Sequence, residues 1–301
     1  MALPSGSPSI DRSHIAPIRT REELIYLLSN ACELEHGVAC IYLFAAYSLK
    51  SDASEGGMTE AEAEVVRRWK RRLVAVGVEE MLHLAQLTNV LTAIGGAPHF
   101  RRTNFPVPRS ALPINDHMTL EPFSIEALER FMAIEMPEPG LLTPEEQAEA
   151  DEIAARVRAR SGRQGNAELR TDPVALAGCE PFDIDFTTQG EFYHKIMSGI
   201  ASIPEDELFI GPPEAQANAR YIGFENKLYP VIGRQSALDA IQMVIEQGEA
   251  PTTAHPDAHF WVFRSIWREY REALERANKS GVEFNPVRPV VSNPMTRFYD
   301  D

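Results

Sequence analysis

The sequence predicts an all-α fold, a four-helix bundle with long crossover loops and a helical insertion. Three observations carry that prediction. Apolar residues recur at helical spacing along stretches of up to about 35 residues. These stretches open on capping residues and close on glycines or prolines. Alternating patterns are at most short pieces around 179 to 186 and 221 to 232.

Thr20 followed by Glu23 is a capping box, in which a hydroxyl and a carboxylate satisfy each other's orphan amides, and it opens a helix over about 20–50. The inward face of this helix reads Leu24, Leu28, Ala31, Glu35, Val38, Tyr42, Ala46 and Leu49, whereas Glu33 falls on another face. A polar link, SDASEGG, leads to a second capping box at Thr59 and Glu62, and the second helix runs over about 59–95 to the Gly95, Gly96 stop. So short a connection makes the two helices antiparallel neighbours.

From about 97 to 186 the pattern reads as an insertion. Residues 97 to 120 form a loop crossing the bundle, and Ser124 to Met136 a short helix ended by Pro137 and Pro139. Thr143, Pro144 and Glu146 start a charged helix that SGRQGN is expected to stop near Ser161. Thr188 then caps a third bundle helix over about 188–202, and Ser236 opens a fourth over about 236–249, continued by 258–279. The whole of 1–301 is expected to be a single domain.

Composition narrows the function. A formal charge of -15 repels phosphate backbones, so nucleic acid is excluded as a partner. The dense basic cluster Arg67, Arg68, Lys70, Arg71, Arg72 reads as a solvated helix face. No run of 18 apolar residues predicts a membrane span, and the N-terminus lacks the basic-then-apolar pattern of a secretory signal, which gives a cytoplasmic expectation. Cys32, Cys40 and Cys179 show neither metal-type spacing nor a disulfide framework.

Glu80 and His83 lie one turn apart inside the stripe Trp69, Leu73, Val76, Leu84, Leu87, Leu91 and Ile94. An ionised carboxylate buried there must neutralise, find a partner or coordinate a cation. Glu35 sits on the same kind of face. Glu191 supplies another carboxylate, although capping after Thr188 alone accounts for it. Counting from Leu238, Ile241 and Ile245 puts Glu249 on the apolar side and Glu246 on the wetter one, and His259 aligns with Phe263, Ile266 and Tyr270.

The expected metal ligands are therefore Glu35, Glu80, His83, Glu191, Glu249 and His259, with His194 and Glu246 in reserve. His194 is either a ligand or a neighbour that orients a carboxylate. Tyr42 is either a hydrogen-bond donor near the centre or an ordinary core tyrosine. Carboxylates with neutral imidazoles suit iron, as one ion or two, ahead of manganese, and the lack of paired cysteines argues against structural zinc. Nucleophile elbows and Walker or Rossmann glycine patterns are absent.

Four strings, ELEHGVACIYLFAAYSLK at 33 to 50, EEMLHLAQLTNVLTAIGGAPHF at 79 to 100, GEFYHKI at 190 to 196 and IEQGEAPTTAHPDAHFWVF at 245 to 263, carry a family resemblance. With them the chain resembles the ferritin-like domain family that includes the iminophenyl-pyruvate dimer synthase domains of bisindole biosynthesis. The resemblance implies a ferritin-like four-helix bundle, a non-haem iron centre (Fe2+/Fe3+) at the six residues above, and oxidative chemistry on an amino-acid-derived or other small substrate in secondary metabolism. Two positions depart from the family pattern: prolines are missing after Glu35, and Ala250 replaces the glycine that follows Glu249.

Three functions compete. The first is a metal-dependent oxidoreductase using dioxygen or peroxide, either with one iron or as a di-iron carboxylate enzyme. The second is a non-catalytic ferritin-like metal-binding or storage protein. The third, a metal-dependent hydrolase, needs only a Lewis acid. Assembly as a homo-oligomer stays open.

Overall fold

A computed structural model of the protein describes residues 17–100, 104–107, 117–138, 140–168, 186, 188–225, 227–251 and 255–294. Its helices are α1 (Arg21–Ser48), α2 (Glu60–Ala93), α3 (Ile125–Ile134), α4 (Pro144–Glu168), α5 (Gln189–Ser202), α6 (Glu205–Leu208), α7 (Ala219–Ile222), α8 (Arg234–Glu249) and α9 (His259–Ser280). Helices α1 and α2 form the long antiparallel pair. Both start at the expected caps: Thr20 Oγ1 accepts from the Glu23 amide, and Thr59 and Glu62 make a reciprocal capping box.

Opposite this pair, the other two positions of the bundle are each built from two helices end to end. Helices α5 and α8 pack together against one half of the pair, while α3 and α9 pack together against the other. At the α5 and α8 end, the Arg234 guanidinium binds the carbonyls of Ile200 and Ile203. At the other end, Tyr42, Phe131 and Phe263 pack ring to ring, with centroids 4.7 to 5.3 Å apart. Trp69 stacks on Phe123 and meets Tyr270 edge on. These aromatic contacts tie α1, α2, α3 and α9 into one core.

This arrangement differs from the sequence expectation in one important respect. Helix α3 is a bundle element, because Leu128, Phe131 and Met132 are buried in the main core, so the inserted part begins after it. Helix α4 is that insertion. It docks through Ala150, Ile153 and Val157, and through ion pairs of Arg156 and Arg160 with Glu129 and of Arg264 and Arg268 with Glu149. It also continues to Glu168 instead of stopping near Ser161. Isolated glycines such as Gly162 cost a helix only about 1 kcal/mol each, and no proline interrupts the stretch.

Helix α8 starts at Arg234, two residues before the expected Ser236, whose hydroxyl instead accepts from the Ile232 and Gly233 amides. The described residues of 221 to 232 contain the end of α7 and irregular chain, with no strand among them. Most of the 179 to 186 stretch, Cys179, His14 and parts of the 97 to 120 loop lie outside the described residues. Two isolated antiparallel bridges, Leu49 with Val287 and Val107 with Met118, are the β-pairings among the described residues. No described helix is long and apolar enough to cross a membrane.

Candidate metal centre

The breaks between the paired short helices fall at one level of the bundle, and polar side chains converge there. Glu35 comes from the middle of α1, and Glu80 with His83 from the middle of α2. Glu135 is the C-terminal cap residue of α3, Glu249 ends α8 and His259 begins α9. All six are almost wholly shielded, none more than 2% exposed. Their ligand atoms form two groups that share one residue: Glu35, Glu80 and His83, and Glu80, Glu135 and His259.

Glu80 is the hinge of this geometry. Its Oε2 lies 2.7 Å from His83 Nδ1, which is itself 3.4 Å from Glu35 Oε2. Its Oε1 lies 2.9 Å from His259 Nδ1, which is 3.9 Å from Glu135 Oε2. The two imidazoles are stacked at an interplanar angle of 29°, with centroids 5.6 Å apart. Two tyrosines close the shell from either side. Tyr42 Oη donates to Glu135 Oε1 at 2.5 Å, and Tyr193 Oη donates to Glu35 Oε1.

The charges of the metal-free centre reflect burial and mutual repulsion. Desolvation, then the nearby Glu80, push the Glu35 carboxyl up to about 7 and the Glu135 carboxyl up to about 8. Glu249 is held well above the carboxylate range by burial and by Glu135 and Glu138. Burial works against a charged Glu80 too, but His259 and His83 together outweigh it and hold the carboxyl well below its ordinary value. In return, Glu80 more than offsets the desolvation of both imidazoles, so His83 stays protonated well above its usual range and His259 is raised to about 10. Burial and the adjacent carboxylates likewise raise Tyr42 and Tyr193.

Protons alone leave the site poorly satisfied. His259 Nδ1 and Glu80 Oε1 approach to 2.9 Å as a charge pair, yet neither atom has a hydrogen-bond partner. Both oxygens of Glu249 are also buried without a hydrogen-bond partner. Buried polar atoms left without a hydrogen bond each cost on the order of 1–3 kcal/mol unless something occupies the space between them. Acidic oxygens and imidazole nitrogens facing one another suit a divalent cation.

Glu249 lines the same cleft but stands apart from the two groups. Its Oε2 and Glu138 Oε1 lie 2.6 and 2.7 Å from where a Cβ on residue 190 would be, so the glycine at Gly190 lets both carboxylates approach the backbone without shifting. They gather at the N-terminus of α5, which favours negative charge. Of the other expected ligands, Glu191 is buried in the first turn of α5, where its amide is capped by Thr188 Oγ1, and it joins neither group. His194 Nε2 lies 3.3 Å from Glu138. Glu246 is solvent-facing, 3.7 Å from His255 and bonded to Gln242. Glu33 pairs with His99, away from the centre.

Glu135 was not among the expected ligands. Its signal was present, since Leu128, Phe131 or Met132 and Glu135 share a helical stripe, but it lay in a stretch read as insertion. Tyr42 takes the first of its two expected roles, donating to a carboxylate of the centre, and Tyr193 does the same from α5.

Comparison with known proteins agrees with this architecture. A family profile described as ferritin-like matches residues 28–268. Dichlorochromopyrrolate synthase of Lentzea aerocolonigenes is 25% identical over 98% of this chain and 29% of its own length. The 2-imino-3-(indol-3-yl)propanoate dimerase of Chromobacterium violaceum is 25% identical over 93% of this chain and 26% of its own. The chain thus spans under a third of the length of these curated relatives. Among solved structures, a ferritin-like protein from Caulobacter vibrioides aligns at 19% identity with a TM-score of 0.47, over 84% of this chain and 74% of that one.

Proposed function

The chain belongs to the ferritin-like family, and from that premise we propose that it is a non-haem iron oxidoreductase, with a di-metal carboxylate centre, acting on a small amino-acid-derived substrate in secondary metabolism. The observation that carries the reading is the pair of ligand groups sharing Glu80, in a setting that leaves buried carboxylate and imidazole atoms without partners. The two relatives, whose names specify an indole-derived dimerisation and a chromopyrrolate synthesis, support the substrate class. Fold likeness alone would not.

The ligand set fits two divalent cations by charge. Glu35, Glu80 and Glu135, with Glu249 lining the same cleft, would balance two doubly charged ions, and His83 and His259 would hold them as neutral imidazoles. When bound, iron would supply the one-electron chemistry needed to use dioxygen or peroxide. The protein's own residues do the rest. Glu80 belongs to both ligand groups, and Tyr42 and Tyr193 hold one oxygen of Glu135 and of Glu35, respectively, by donating a hydrogen bond to it. Each tyrosine thereby limits its carboxylate to one free oxygen toward the centre. The apolar walls from Val244, Tyr193 and the α3 and α9 aromatics exclude water and strengthen these contacts.

The test is oxygen uptake by iron-loaded protein with and without candidate 2-imino acids. The reading expects consumption that continues in proportion to organic substrate turned over. Consumption that stops in proportion to iron would identify a storage protein instead, and turnover with zinc under anaerobic conditions a hydrolase.

A further inference from the structure

Both imidazoles present Nδ1 to the centre, and their outer nitrogens meet chemically different groups. His83 Nε2 lies 2.7 Å from Gln247 Oε1, a neutral amide near the end of α8. His259 Nε2 lies 3.2 Å from Glu79 Oε2, a carboxylate on α2 that is itself 3.8 Å from Lys227 Nζ. An imidazole that binds a cation through Nδ1 keeps its Nε2 proton, so each ring donates outward, one to an amide and the other to an anion. A charge-assisted hydrogen bond is about twice as strong as a neutral one and makes the ring a better electron donor.

We propose that Glu79 and Gln247 are positioning residues that make the two cation positions unequal. The position bounded by Glu80, Glu135 and His259 holds its ion more tightly and at a lower reduction potential than the one bounded by Glu35, Glu80 and His83. Glu79 directly precedes Glu80 on α2, and its side chain is about a third exposed, so it backs the buried ring from the solvent side. Among the described residues the group behind His83 is the amide of Gln247, which fixes the ring's direction without adding charge. The inequality belongs to the same centre and rests on the reading of that centre as a metal site.

The test uses the full chain in two backgrounds, Glu35→Gln to impair one position and Glu135→Gln to impair the other. Mn2+ affinity is read from the electron paramagnetic resonance of free ion, and the reduction potential from iron-loaded samples, with circular dichroism confirming that each variant folds. Adding Glu79→Gln should weaken Mn2+ binding about tenfold or more in the Glu35→Gln background and raise the potential there, with little change in the Glu135→Gln background. Gln247→Glu should do the reverse, tightening binding in the Glu135→Gln background. Equal responses in both backgrounds would overturn the assignment. Failure of the unmodified chain to take up either Mn2+ or Fe2+ would instead overturn the metal reading on which it rests.

Discussion

Adding ferrous ion anaerobically to metal-free protein at pH 7.5 should expel protons in a number set by the centre. His83 and His259 are protonated there, with His259 raised to about 10. Burial pushes Glu249 in the same direction, while Glu135 is mostly protonated with its carboxyl at about 8, and Glu35 only in part with its carboxyl at about 7. Metal ligation requires neutral imidazoles and ionised carboxylates, so filling both positions should release about four protons for the pair of ions. The same count follows from exchanging protons for two doubly charged cations in a space that cannot carry net charge. Titration calorimetry in buffers of different ionisation enthalpy measures it directly. At pH 9 the release should be smaller, because Glu135 and Glu35 have by then lost their protons. Release of fewer than one proton for the pair at pH 7.5 would refute the reasoning, since the proposed ligands could not then be the groups titrated.

Glu80→Ala should abolish binding of both ions, whereas Glu135→Ala should leave close to one per chain and Glu33→Ala the full complement, as read by elemental analysis. Tyr42→Phe and Tyr193→Phe each strip a buried carboxylate of its donor, and each should lower the stability of the metal-free protein by about 1–3 kcal/mol in denaturant titration. Raised carboxyls and imidazoles contribute stability that is complete below their unfolded values and is lost as the pH climbs through the folded ones. The metal-free protein should therefore lose several kcal/mol between about pH 5 and pH 9, through the values near 7 for Glu35, 8 for Glu135 and 10 for His259, and its Tm should fall accordingly. Glu80 acts in the opposite sense, but its contribution is already complete above about pH 5. Bound metal should flatten the profile.

How far the sequence reveals this centre depends on how long each helix stays regular. On α1 and α2 the apolar stripe persists through many turns, so Glu35, Glu80 and His83 stand out as polar intrusions. His259 is legible for the same reason from the residues that follow it. Glu249 lies beyond Gly248, yet α8 continues through it and the count holds. Glu135 ends a helix of only ten residues before a proline, too short for its stripe to separate it from a surface element. Glu191, three places after a cap, is buried but lies in neither ligand group. The partners Glu79, Gln247 and Tyr193 carry no local signal. Their roles exist only where α2, α5 and α8 meet.

Anomalous diffraction at the iron absorption edge, from protein loaded with ferrous ion, tests the central claim most directly. Two peaks are expected, one between Glu35, Glu80 and His83 and the other between Glu80, Glu135 and His259. Iron elsewhere in the molecule, or a centre whose imidazoles stay paired to Glu80 with no ion between them, would contradict it.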